Sequence, residues 1–208
     1  MASETLRISP KYTAEDWRKL NRQKVAHWRE AEAIVRDRLE GRFLNFADMC
    51  LDKPYSGFVV LSIDCLLAET IQQFIEGRKH SNDISSQVFR RFLERSEFQP
   101  AFTEDAREDF YNDIRCGLLH QAEAKNKWLI RRKQTALLKT VGGGYIIDVE
   151  RFHGALKASL ERYFADLRKR PSTDLRGKLW QKMGFICDAR ESREPMEALD
   201  AGAADTAA

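Results

Sequence analysis

The chain has 208 residues, of which 35 are basic and 32 acidic, for a formal net charge of +3. That length fits one domain with one substantial core, and so balanced a charge does not by itself mark a nucleic-acid binder, so any basic surface has to be local. The four cysteines, Cys50, Cys65, Cys116 and Cys187, form no Cys-x-x-Cys pair and no Cys/His cluster at zinc spacing, which argues against a disulfide framework or a structural metal and for reduced, cytoplasmic thiols.

Residues 1 to 12 are polar and contain Pro10, the composition of an extended arm without a signal-peptide core. Thr13 followed by Asp16 reads as a helix N-cap with its capping partner. From there Trp17, Leu20, Lys24, Trp28, Ala31, Ile34, Val35 and Leu39 predict one continuous amphipathic helix running to Gly41, with Arg22 and His27 on its solvated face. Phe43 to Asp52 is ambiguous, and Pro54 with Ser56-Gly57 marks a turn.

Phe58 to Ile75 carries apolar residues on nearly every face, which predicts a helix surrounded by others. Asp64 and Glu69 interrupt it and would be costly in lipid, so a buried helix is expected and not a membrane span. Buried carboxylates need partners. Each is read either as a structural acid or as support for the functional pair described next.

Ile84 to Phe98 predicts a helix after a loop that contains His80, read as solvated. Thr103 with Ala106 opens another helix, rich in acids at its start. That helix leads through Phe110-Tyr-Asn-Asp-Ile to Arg115-Cys-Gly-Leu-Leu-His120. On an unbroken helix Arg115 and His120 would point roughly 140° apart, so convergence requires the helix to bend or end between them, and Gly117 is placed to allow it. The same spacing recurs at Arg22 and His27, but without the apolar ridge of Phe110, Ile114 and Leu118.

This stretch resembles the Arg-x4-6-His motif of HEPN domains, the all-helical modules found in many prokaryotic ribonucleases, toxins and antiviral proteins. With the Ser62 to Gly77 helix included, the resemblance extends over roughly residues 56 to 170. It implies an all-α, HEPN-like helical bundle with a small β-hairpin insertion after the motif. It also implies metal-independent RNA cleavage without a cofactor, in which the ribose 2′-hydroxyl attacks the neighbouring phosphate and leaves a 2′,3′-cyclic phosphate. In that reading Arg115 and His120 are catalytic, and Glu69, Asp64, Asn112 and Cys116 support them. Cys116 departs from the polar residue common after the arginine in active members. Histidine titrates near working pH and suits proton transfer, while arginine offers a permanent, forked charge to a phosphate transition state. The implied partners are RNA, a second copy or another HEPN chain, and a toxin-antitoxin or antiviral defence protein. The alternative is a catalytically silent HEPN module that binds nucleic acid or dimerises as a scaffold.

Beyond the motif the period changes. Trp128 to Lys133, Ala136 to Thr140 and Tyr145 to Asp148, with Gly142-Gly143-Gly144 as a turn, predict short strands in a hairpin or small three-stranded sheet. Lys125 to Lys139 holds six basic residues and no acid. Arg131, Arg132 and Lys133 are therefore candidates to grip RNA phosphates, with Trp128 either stacking a base or anchoring the sheet. Asp148 caps a helix whose core positions are Phe152, Leu156, Leu160, Tyr163, Phe164 and Leu167, with His153 expected at its surface. Pro171 ends that helix, and Ser172 to Phe185 predicts a last one. Residues 1–194 are read as one domain and residues 195–208 as a disordered tail.

Overall fold

The computed structural model describes residues 6–169 and 174–188. Thr13 does cap the first helix, α1 (Ala14–Arg18): its hydroxyl accepts from the Asp16 amide while the Asp16 carboxylate accepts from the Thr13 amide. The long helix expected to follow is broken. Asn21 Oδ1 accepts from the Gln23 amide and His27 Nδ1 accepts from the Asn21 amide, both at 2.9 Å. These local side-chain bonds compete with the helical ladder, a habit of asparagine, and α2 begins afresh at His27 (His27–Leu39).

A π-helical turn (Glu40–Leu44) joins α2 to α3 (Asn45–Leu51), and α4 (Gly57–Glu76) follows. Helix α4 is the centre of the bundle: α3, α5 (Ser85–Phe92), α8 (Val149–Lys169) and α9 (Asp174–Asp188) all pack against it. It is also long and apolar enough to cross a membrane, but 56% of the relevant window is buried inside the bundle. Gly77 ends it in the left-handed region at φ 70°, where a side chain would be strained and would press on the Lys178 backbone of α9.

Thr103 caps α6 (Glu104–Asp109) as expected, accepting from the Ala106 amide at 3.3 Å. A second π-helical turn (Phe110–Arg115) leads into α7 (Cys116–Gln121). Its first residue joins a buried ring cluster: Phe110 lies 5.2 Å from both Phe102 and Phe152 and 5.3 Å from Trp128. These contacts draw α6, α8 and the sheet onto one core.

The β insertion is a three-stranded sheet, not a simple hairpin. β2 (Leu138–Val141) and β3 (Gly144–Asp148) form the antiparallel pair around Gly142-Gly143, and β1 (Trp128–Arg131) adds to the other edge of β3 in parallel, Trp128 opposite Tyr145. The molecule is thus mostly helical with one small sheet. Asp148 caps α8 through the Arg151 amide at 2.7 Å and also accepts from the Gln134 amide at 2.5 Å, which ties the sheet's linker to the helix start. Pro171 and the tail from residue 195 lie outside the described residues.

Candidate functional site

Arg115 emerges from the π-helical turn pointing at α4. Its Nη2 donates to Glu69 Oε2 at 2.9 Å and to Ser85 Oγ at 3.1 Å, and Ser85 in turn donates to Glu69 Oε1 at 2.8 Å. Ser81 donates to the same Oε1 and accepts from Gln73 Nε2 at 2.9 Å. The Tyr111 ring lies 5.3 Å from the guanidinium carbon. Burial opposes the Arg115 charge, but the adjacent Glu69 carboxylate more than offsets it, and the guanidinium is held above its ordinary pKa. The side chain keeps 18% of its exposure, against 12% for Glu69. Its Nη1 makes one long hydrogen bond, 4.0 Å to Cys116 Sγ. One edge of the fork is fixed while the rest has no oxygen acceptor among the described residues.

His120 is exposed on α7. Helix α7 runs from Cys116 to Gln121 without a break, so the expected bend at Gly117 is absent and Arg115 and His120 do not converge within one chain. No hydrogen bond or ion pair joins them among the described residues. Gly117 serves a different purpose. After Ala122 turns the chain in the left-handed region (φ 53°), the segment folds back along the helix, and a Cβ on Gly117 would lie 2.4 Å from the Glu123 carbonyl oxygen. Lys125 donates its amide to the Asp113 carbonyl at 3.0 Å and Asn126 Nδ2 to Asp113 Oδ1 at 2.7 Å, which fixes that return. Asn112 is exposed on the π-helical turn, and Cys116 is half-buried beside Arg115.

Asp64 does not support this pair. It is fully buried, and its Oδ1 faces His153 Nδ1 at 2.8 Å; His153 Nε2 faces Asp48 Oδ1 at 3.1 Å, and Lys157 donates to both Asp48 oxygens at 2.8 Å. His153 is therefore an interior residue, 2% exposed, and not a surface one. Burial disfavours its charge, but the two carboxylates, Asp64 first, raise its pKa above the ordinary histidine value. Because each ring nitrogen faces a carboxylate, only the doubly protonated ring donates to both. Burial pushes the Asp64 carboxyl up despite this partner, and its Oδ2 has no hydrogen bond. The signal for His153 was present in the sequence: it lies four residues after Val149 and three before Leu156, on the buried stripe of α8. Ser81 and Ser85, which orient Glu69, carried no such signal.

The basic segment divides. Trp128 is 4% exposed, with its ring 4.5 Å from Tyr145, so it anchors the sheet and offers no face to a base. Arg132 is a clamp: Nε donates to Glu150 Oε1 and Nη1 to the Lys53 carbonyl, both at 3.0 Å, and Nη2 to the Leu51 carbonyl. Arg131 and Lys133 remain exposed. Val59, Leu66 and Leu119 are large exposed apolar side chains, two on one stripe of α4 and the third on α7, which packs on α4. No cluster of three or more histidine, cysteine or carboxylate side chains suited to a metal occurs among the described residues.

Compared with protein-family models, curated proteins and solved structures, the chain gives no match.

Proposed function

We propose that the protein is a metal-independent endoribonuclease of the HEPN type whose site is completed by a second copy of the chain or by a partner HEPN chain. The observation that carries this reading is the pre-set Arg115: Glu69 and Ser85 hold one edge of its fork, while the neighbouring helix presents an exposed His120 with no hydrogen bond or ion pair among the described residues. A transition-state stabiliser has to be oriented before the charge develops, and a proton carrier has to reach solvent and substrate. Since Arg115 ends the π-helical turn and points at α4 while His120 is exposed on the continuous α7 that follows, an Arg115 from one copy would have to work with a His120 from another. The exposed apolar side chains of α4 and α7 provide a surface on which two copies can meet.

In this mechanism His120 takes the proton from the ribose 2′-hydroxyl, the oxygen attacks phosphorus, and the 5′-oxygen leaves. Arg115 stabilises the negative charge that builds on the phosphoryl oxygens. A second His120 can supply the leaving group's proton. To the exposed Arg131 and Lys133 we assign the contacts with the RNA backbone. The setting is a cytoplasmic toxin-antitoxin or defence system.

A catalytically silent HEPN module, binding nucleic acid or scaffolding an assembly, is the second reading; it is favoured by the Arg115–Glu69 pair, which gives the arginine's charge a carboxylate partner without any substrate. Incubating the purified protein with mixed RNAs in EDTA and analysing the new ends separates the two. Cyclic phosphate ends support the ribonuclease, and intact RNA that nonetheless binds the protein supports the silent module.

A further inference from the structure

A cavity of about 250 Å³ lies between the start of α2, the end of α8 and the start of α9, and includes none of the residues assigned to RNA. The break in the first helix helps to form it. Because the chain turns at Asn21 and α2 begins afresh at His27, Trp28 stands at the head of the helix with its indole nitrogen donating to the Arg22 carbonyl at 3.0 Å. Trp28 forms one wall, and Leu167 of α8 and Leu179 of α9 extend the apolar lining. Glu32, one turn further along α2, also lines the cavity, but its carboxylate is engaged by Arg36 at 3.5 Å and by Arg168.

Arg176 completes the lining. It is only 9% exposed and forms no ion pair among the described residues. Its Nε donates to the Leu167 carbonyl at 2.9 Å, and its guanidinium carbon sits 4.5 Å from the centre of the Trp28 ring, so the planar head is held in one orientation. Neither terminal nitrogen has a hydrogen bond among the described residues, yet neither is sealed from solvent without a partner, as Asp64 Oδ2 is. They open on the cavity. A guanidinium cannot shed its proton, and this one bears the cost of burial without a carboxylate to offset it. Burial lowers its pKa and nothing raises it, whereas the half-buried Arg115 has Glu69.

We infer that this cavity binds a small organic carboxylate, its two oxygens on the free edge of Arg176 and its apolar body against Trp28, Leu167 and Leu179. A carboxylate matches the guanidinium fork with two parallel hydrogen bonds, and one unpaired buried cation calls for one negative charge. The apolar lining favours a hydrophobic body over a bare inorganic anion. The volume lies below the usual range for drug-sized ligands, which suits a single ring or a short chain and not a nucleotide. Arg29, exposed and also on the lining, has no ion pair among the described residues and adds a field that draws anions to the mouth. The inference does not depend on the ribonuclease reading.

Isothermal titration of the full chain with benzoate, phenylacetate and hexanoate tests it, alongside acetate, inorganic phosphate and the uncharged benzyl alcohol. At least one of the first three should bind at millimolar concentration or below, and each of the other three should be weaker by about tenfold or more. Binding should shift the indole N–H signal of Trp28 in heteronuclear NMR spectra, identified through Trp28→Phe, and leave that of Trp128 in place. Arg176→Lys keeps the charge but loses the fork, and should weaken binding by about tenfold. Arg29→Glu, an exposed substitution that does not put folding at risk, should weaken it by about threefold or more, while Lys139→Ala in the sheet should leave it unchanged. If Arg176→Lys does not fold, Arg29→Glu and the Trp28 signal decide. Failure of all three carboxylates to bind at millimolar concentration would overturn the inference. So would benzyl alcohol or phosphate binding as tightly as the best carboxylate, an unmoved Trp28 signal, or insensitivity to both arginine substitutions.

Discussion

Replacing Arg115 with methionine probes the fold as well as the chemistry, because Arg115 and Glu69 are both mostly buried and joined at 2.9 Å. Removing one partner of a fully buried pair costs about 3–5 kcal/mol, chiefly by stranding the other charge. Here the carboxylate keeps Ser81 and Ser85 as donors and some contact with water, so the cost is reduced to about 2–3 kcal/mol. For a chain of this size that corresponds to a fall in Tm of roughly 5–10 °C. Glu69→Met alone leaves the guanidinium without its carboxylate and should cost a similar amount. The double substitution removes both charges and should recover much of the loss, giving a coupling energy of about 1.5–3 kcal/mol in urea unfolding followed by circular dichroism. Additivity within about 0.5 kcal/mol would refute the reasoning, since independent sites behave in that way.

Other consequences are testable in the same manner. His153→Gln should lose stability in a pH-dependent way: the folded histidine pKa is raised by Asp64 and Asp48, so its contribution is fully present below about pH 6.5 and fades as the pH rises through the folded value. The gap between wild type and variant in urea unfolding should therefore shrink as the pH rises above about 6.5 and through the raised pKa of the folded histidine, and a constant gap would place the histidine's role in packing alone. Trp128→Ala should cost about 3–5 kcal/mol as a core truncation, whereas Arg131→Ala with Lys133→Ala should change stability by less than about 0.5 kcal/mol while weakening RNA binding and flattening its salt dependence. Gly117→Ala should destabilise by about 1–3 kcal/mol, because its methyl group would force the Glu123 carbonyl aside.

Much of the helical frame was legible because capping and periodicity are local. Thr13, Thr103 and Asp148 each cap a helix, and the all-round apolar pattern of α4 is that of a helix at the centre of a bundle. The break at Asn21 was hidden because a two-residue side-chain turn leaves the apolar spacing on either side intact. Residues 115–120 show the limits more sharply. Glycine can bend a helix or admit a neighbouring backbone, and only the position of Glu123, set by the turn at Ala122, decides between these at Gly117. The partner of Asp64 was likewise a question of topology, since it lies 89 residues away on α8. Arg132 looked like a nucleic-acid contact, and Trp128 was open between base stacking and anchoring the sheet, because a basic, aromatic run has the same composition whether it faces solvent or clamps a sheet to its neighbours.

Because His120 is exposed and takes part in no hydrogen bond or ion pair among the described residues, its removal leaves the fold intact in a way that removal of Arg115 does not. The most direct measurement is therefore the rate of RNA cleavage in EDTA by His120→Ala and wild type, with matched thermal stability verified and the ends of the products identified. Cyclic phosphate ends are expected from the wild type and loss of cleavage by at least about a hundredfold in the variant, the usual contribution of a general base or acid. Equal cleavage by the two proteins, or loss of cleavage together with unfolding, would contradict it.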